Sequence, residues 1–328
     1  MTMDRRHFLL AGGAAAAASA WPNLASAQAI ETAKVYVGFP AGGTTDAVSR
    51  RLAEKMRGGY AKNSLVENKP GAGGRLAAET LKALPADGSS LLLTPAAIIT
   101  LYPHIFTKLT YKQEDFTPVS TACLAVFGFG VGPGVPESVK NLKDYLAWAK
   151  ANPDKASFGS PGAGTPPHFL GALLSKDSGV ALSHVPYRGS APGVQDLLGG
   201  QIGAFSGPIG DFLPHLKSGK ARILATSGPQ RTRFAPDVAT YAEQGFKNIQ
   251  IIEWYGVFLP GKAAPDVVQR AAAAVKAAVT SPDVVEGFAQ LGLEASANTP
   301  AELQRAIATE TQSWGPIVKG VGFTPDGS

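Results

Sequence analysis

Cysteine is nearly absent from this 328-residue chain: there is one, Cys123. A single cysteine excludes an internal disulfide and any C-x-x-C redox or zinc motif. It lies in the apolar run Cys123-Leu124-Ala125-Val126-Phe127 and reads as a buried, inert thiol. Long hydrophobic runs are also missing. No segment after the first 27 residues reaches the ~20 apolar residues that a membrane-crossing helix requires, so the mature chain is expected to be soluble. Blocks of five or six like charges are missing too. The net charge is +5, dispersed along the chain, which gives nucleic-acid binding no support and suits a small anionic ligand. Enzyme signatures do not occur: there is no G-x-S-x-G elbow and no H-E-x-x-H. His104, His168, His184 and His215 are scattered without metal-ligand spacing. We therefore expect no catalytic residue, no metal and no cofactor.

The N-terminus carries a compartment signal. Asp4-Arg5-Arg6-His7-Phe8-Leu9-Leu10 sets two arginines before a short apolar stretch, Phe8 to Ala20. Ala25-Ser26-Ala27 then supplies an A-x-A cleavage site. Charged start, short apolar middle and small-residue site read as a signal peptide over residues 1–27, cleaved near Ala27. The arginine pair followed by Phe-Leu favours twin-arginine export over the general route. No cysteine at the cleavage point offers a lipid anchor, so the exported protein is expected to be free in the periplasm.

Beyond that, short apolar runs alternate with amphipathic segments. Lys34 to Phe39, Ser64 to Glu67 and Ser90 to Thr94 read as strands, with helices after the first two. Val48, Leu52 and Met56 fall at four-residue spacing, one face of a helix. A second block has helices at Leu142 to Ala151, after Pro166 and at Ala191 to Leu198. Its strands are Ala156 to Gly159, Leu182 to Pro186, Ile202 to Ser206 and Ala221 to Thr226. A third block starts near Trp254 and ends in helices Ala264 to Thr280 and Ala301 to Trp314. The alternation predicts an α/β fold with mainly parallel sheets flanked by helices.

Three glycine-rich segments sit where a strand gives way to a helix: Phe39 to Asp46, Asn68 to Arg75 and Ser160 to His168. Glycine lets the backbone approach a ligand closely, and a helix start presents unpaired N–H groups and the positive end of a dipole. Thr165 reads as an N-cap with Pro166 as the first helical residue. None of the loops has the Lys-Ser/Thr of a phosphate loop or a full G-x-G-x-x-G, so a nucleotide is disfavoured and a carboxylate is the natural anion. His168 reads as a packing or helix-terminus residue more readily than as a base. Glu253 is an isolated carboxylate for which an edge-of-strand salt bridge is an equal reading.

With their flanks, these loops become specific. Val37 to Asp46, Val66 to Gly74, Phe158 to His168, and His184-Val185-Pro186-Tyr187-Arg188-Gly189-Ser190-Ala191-Pro192 running into Asp196 to Gln201 resemble, in order and spacing, four hallmarks of the Bug-type solute receptors. These are the binding components of tripartite tricarboxylate transporters. The resemblance implies a two-lobed periplasmic-binding-protein fold of the Venus-flytrap kind, type II-like. Lobe 1 would hold residues 28–128 and 256–328, and lobe 2 residues 129–255. The hinge crossings would lie near 128–132 and 253–256. It implies a non-enzymatic monomer that captures a di- or tricarboxylate, or an aromatic acid, and passes it transiently to membrane permease subunits. A ligand sensor or, less readily, an exported α/β enzyme are the other readings. Carried onto this sequence, the ligand contacts are Phe39, Ala41, Gly42, Gly43, Thr44, Thr45, Asp46, Ala96 and Ala97 from lobe 1. From lobe 2 and the hinge they are Ser160, Gly162, Ala163, Gly164, Thr165, His168, Arg188, Gly207 and Trp254.

The chain departs from the pattern at two places. Family members carry an Asp after Gly200-Gln201-Ile202 and a second a few residues on, facing the cleft; here they are Gly203 and Gly207. That loss argues against an amino-acid ligand. Pro95-Ala96-Ala97-Ile98 is more apolar than the usual loop, and with Trp254 and Tyr255 nearby an aromatic acid is one expectation and simple hinge packing the other.

Overall fold

The computed structural model describes residues 30–324. The expected signal peptide and cleavage site lie outside them. Ten strands run β1 (Ile30–Val37), β2 (Ala61–Asn68), β3 (Ser90–Pro95), β4 (Phe116–Val131), β5 (Ser157–Ser160), β6 (Ser183–Pro186), β7 (Ala204–Pro208), β8 (Arg222–Thr226), β9 (Ile252–Pro260) and β10 (Leu293–Ala295). The helices are α1 (Thr44–Met56), α2 (Arg75–Lys82), α3 (Ala97–Thr100), α4 (Tyr102–Ile105), α5 (Leu142–Ala151), α6 (Pro166–Ser178), α7 (Ser190–Leu198), α8 (Leu213–Leu216), α9 (Pro265–Val279), α10 (Pro282–Ala289) and α11 (Pro300–Val321).

The α/β fold is as expected, and one long strand runs through both lobes. β4 pairs β9 through Val126, then β7 and β8 from Phe127 onward. The outer strands of each lobe are parallel: β2, β1 and β3 in one, β6, β5 and β7 in the other. The inner strand β3 is buried along nearly its whole length, whereas the edge strands β2 and β6 stay largely open to solvent. The pairs made by β4 and β9 are antiparallel, so each sheet is mixed.

The register fixes where the lobes face each other. Val37 lies opposite Leu93, Pro95 opposite Tyr255, and Tyr255 opposite Cys123. The C-terminal ends of β1, β2 and β3 are thus all at the crossing end of lobe 1. In the other lobe Pro208 pairs Phe127, Gly159 pairs Phe205, and Ser160 pairs Pro186. The C-terminal ends of β5, β6 and β7 meet the same crossing from the opposite side. Ligands of open α/β sheets bind beyond such ends.

Packing explains the helices. Val48, Leu52 and Met56 of α1 are fully buried with Val268, Ala271 and Val275 of α9 in one core. A second core runs from Leu92 and Ile98 to Phe158 and Phe169, and a third gathers Phe205, Phe212 and Ile223. Helix α11 reaches seven residues past its expected end at Trp314, to Val321, despite Pro316. Its far end crosses to α6, where Trp314 packs on Phe169 with ring centroids 5.6 Å apart. Among the described residues no helix is long and apolar enough to cross a membrane.

Candidate functional site

The loop from β1 to α1 is clamped from below. Asp46 is 2% exposed, and its carboxylate accepts three bonds: from Gly42 N–H at 2.9 Å, Arg50 Nε at 2.8 Å and Asn68 Nδ2 at 2.9 Å. Asn68 Nδ2 also donates to Phe39 O. Burial opposes ionisation of Asp46, yet the donors Arg50, Gly42 and Asn68 outweigh it and hold the carboxyl below its ordinary value. Gly42 takes φ +86°, a left-handed turn that leaves the lip Ala41, Gly42 and Gly43 exposed. Gly38 is required for a different reason: a Cβ there would come within 2.5 Å of the Gly74 backbone, where the second glycine-rich loop crosses.

That clamp presents a helix start. The N-cap of α1 is Gly43, whose missing side chain cannot cap. The N–H groups of Thr44, Thr45 and Asp46 have no acceptor among the described residues. Three unpartnered donors at the positive end of a 13-residue helix are the arrangement that favours an anion, which makes this loop the candidate site. The Asp46 side chain builds the loop, and its N–H is left without an acceptor.

The facing loop of lobe 2 is built differently. Ser160 Oγ donates to Gly162 O at 3.0 Å and lies 2.8 Å from His184 Nε2. Thr165 Oγ1 donates to Gly162 O, and Gly164 N–H donates to His168 Nδ1. His168 and His184 stack with centroids 3.9 Å apart beneath the loop. Burial pushes the His168 imidazole down to about 4. Burial and the neighbouring ring push His184 down to about 3. Both are neutral supports under the loop, and the hydroxyls of Ser160 and Thr165 are engaged inside it. Helix α6 opens on Pro166 and Pro167, which have no N–H to offer. The helix start expected to grip from this side is therefore poor in donors. The cation on this side is Arg188, exposed between β6 and α7, with no ion pair among the described residues.

Ala96, Ala97 and Trp254 lie at the crossing, but they face inward. Ala96 N–H donates to Trp254 O and Ala97 N–H to Glu253 Oε1. Trp254 is 6% exposed, and its indole N–H donates to Glu310 of α11. The ring is packed inside the crossing, against Phe258 and beside Glu310.

The sequence pattern described as the tripartite tricarboxylate transporter family receptor matches residues 48–323. The chain belongs to this family. Protein BugT of Bordetella pertussis is 32% identical to this receptor over 294 residues, covering 88% of this chain and 89% of BugT. The solved periplasmic binding protein BugD is 29% identical with a TM-score of 0.79, over 92% of this chain and 99% of its own. MatC from Rhodopseudomonas palustris, solved with bound malate, is 26% identical with a TM-score of 0.78, over 88% and 99%. Rpa4515 of R. palustris, solved with adipate, is 25% identical with a TM-score of 0.82, over 93% and 99%.

Within this receptor the two departures read differently once placed. Gly203 stands at the far end of lobe 2, where a Cβ would meet Lys155 O at 2.7 Å and Ser157 O at 3.1 Å. It has no room for a carboxylate and no view of the cleft, so its identity says nothing about the ligand. Gly207 is at the cleft end of β7, paired with Gly128. A Cβ there would lie 3.4 Å from Asp211 Oδ2. The receptor has a carboxylate at this point after all, supplied from four residues further on. Sequence reading passed over Asp211; its only signal is a lone acid in the Gly- and Pro-bearing stretch that ends a buried strand. Asn68 was passed over too, although it closes the second hallmark.

Proposed function

We propose that this protein is a periplasmic solute receptor that captures a small aliphatic di- or tricarboxylate and delivers it, unchanged, to the permease subunits of a tripartite transporter. The single observation carrying this reading is the clamped loop 39–46 with its three unpartnered N–H groups at a cleft between two lobes. One ligand carboxylate would sit on Thr44, Thr45 and Asp46; Arg188 would take a second from lobe 2 as the lobes close. The ligands of two neighbours, malate in MatC and adipate in Rpa4515, support the class. The enclosed Trp254 ring favours an aliphatic over an aromatic acid. Residues 1–27 would serve as the export signal, the chain would act as a monomer, and the hinge would sit where β4 changes partners.

Helix-end contacts contribute ~0.3–1 kcal/mol each and up to ~2 when partly buried, whereas micromolar capture needs about −8 kcal/mol. Donors from both lobes and closure over the ligand are therefore both needed. Isothermal titration of the exported protein with C4 to C6 di- and tricarboxylates is the test. The expected result is 1:1 binding of at least one acid at about micromolar Kd or tighter, lost on changing Arg188 to Ala. Failure of every acid in the panel to bind would overturn the reading.

A further inference from the structure

Asp211 follows β7 at the cleft end of lobe 2, in the turn Ile209–Asp211. Its Oδ2 is closed off from solvent and has no hydrogen-bond partner among the described residues. It makes no ion pair there either. Burial pushes the carboxyl up to about 6, opposed in part by the nearby Ser190 side chain at the start of α7. The turn is held against lobe 1, since a Cβ on Gly210 would lie 2.1 Å from Leu291 O. On its lobe 1 side stands Tyr255, a buried phenol whose hydroxyl lies within the electrostatic reach of both the Thr45 side chain and the Asp211 carboxyl. Asp211 is thus a neighbour of the α1 start, where the ligand's carboxylate is proposed to sit.

Two carboxylates brought together in a closing cleft repel, and a buried acceptor without a donor costs free energy. Both penalties vanish if the ligand itself brings a proton donor between them. We propose that Asp211 accepts a hydrogen bond from a hydroxyl or ammonium substituent beside the ligand's carboxylate, and so selects donor-bearing acids over plain ones. This rests on the carboxylate-capture reading above, and it restores the donor-bearing ligands that Gly203 and Gly207 had argued against. The ligand's carboxylate meets the Thr44 to Asp46 amides, its donor meets Asp211, and its distal charge meets Arg188. A Cβ on Gly207 would press on the Phe205 ring at 2.4 Å, so the glycine lets that ring pack close beside the Asp211 turn.

The test is calorimetric competition among succinate, malate and aspartate, which share a four-carbon diacid frame and differ in the donor. On the unaltered protein, malate or aspartate is expected to bind about tenfold tighter than succinate or better, the discrimination of one charge-assisted hydrogen bond. Which of the two wins tells hydroxyl from ammonium. In Asp211→Asn and Asp211→Ser, the ratio to succinate should collapse towards one, with succinate binding unchanged or tighter because the repulsion is gone. Equal binding of all three by the unaltered protein, or an unchanged ratio in a folded variant, would overturn the assignment of Asp211 alone. Binding of plain diacids but no donor-bearing one would do the same. If none of the three binds while another di- or tricarboxylate without a donor does, Asp211 is again wrong and the receptor reading stands.

Discussion

Asp46 illustrates how one residue can matter to binding without its side chain touching ligand. Its carboxylate holds Gly42, Arg50 and Asn68 at once. That leaves the amides of Thr44 and Thr45 aimed outward. Asp46→Asn keeps the shape but puts an NH2 where one of the three donors now points. A donor then faces a donor, and one buried group loses its partner. We expect a stability loss of about 1–3 kcal/mol in urea unfolding. We also expect acid binding to weaken by about tenfold as the loop loosens. Arg50→Gln removes only the exposed partner and should cost less than about 1 kcal/mol. If Asp46→Asn unfolds like the parent and binds as tightly, the clamp is not what organises the loop.

Between the elements, the sharpest tension lies where β9, α3 and α11 meet. Glu253 of β9 is buried beside Glu310 of α11. Burial and the Glu310 charge push Glu253 up to about 8, against the N–H groups of Ala97 and Ala96. Glu310 is raised as well, by burial, but it accepts from Trp254, Trp314 and Thr100. Glu310 therefore carries the charge and Glu253 the proton. A carboxyl whose folded value lies above its unfolded one stabilises fully below about 4.5, and that stability is lost as pH rises through about 8. Thermal unfolding should thus weaken across this window. Glu253→Gln, which has no proton to lose, should flatten the profile and be more stable than the parent at pH 8 by on the order of 2 kcal/mol. Parallel profiles for the two proteins would refute the assignment. The sequence offered Glu253 only as an isolated acid, because its partner lies in a helix 57 residues away. What could be read were the features that repeat locally. The strand-to-helix alternation, the Leu142 to Ala151 helix and the glycine loops all depend on neighbours a few residues apart. Asp211, Glu310 and the 16-residue span of β4 depend on pairings that no local pattern encodes. The engaged amides of Ala96 and Ala97 are of the same kind: their acceptors arrive from β9.

For the molecule as a whole, the two chain segments that pass between the lobes are tied together through one residue. Ser227 follows β8 on the return from lobe 2 and is fully buried. Its N–H donates to Phe127 O at 2.9 Å, and its hydroxyl accepts from Phe127 N–H at 2.9 Å. The same hydroxyl donates to Ile251 O at 2.6 Å, and Ile251 N–H donates to Ser227 O. Four bonds tie the outgoing strand, at the point where it changes partners, to the returning one just before β9. Ser227→Ala keeps the two backbone bonds and removes the two through the hydroxyl. A buried N–H and a buried carbonyl are left without partners, a cost of about 2–4 kcal/mol for the pair. The loss should be local. Amide exchange at Phe127 should accelerate by at least about tenfold, because its acceptor is gone. The Gly42 amide, tied to Asp46 in lobe 1, should keep its protection. Acid affinity should also fall less than in Asp46→Asn, since the contact loops are untouched and only the cost of aligning the lobes changes. Uniform exchange across both lobes in Ser227→Ala would mean that the crossing is held by the packing of Trp254 and Trp314 around Glu310 instead.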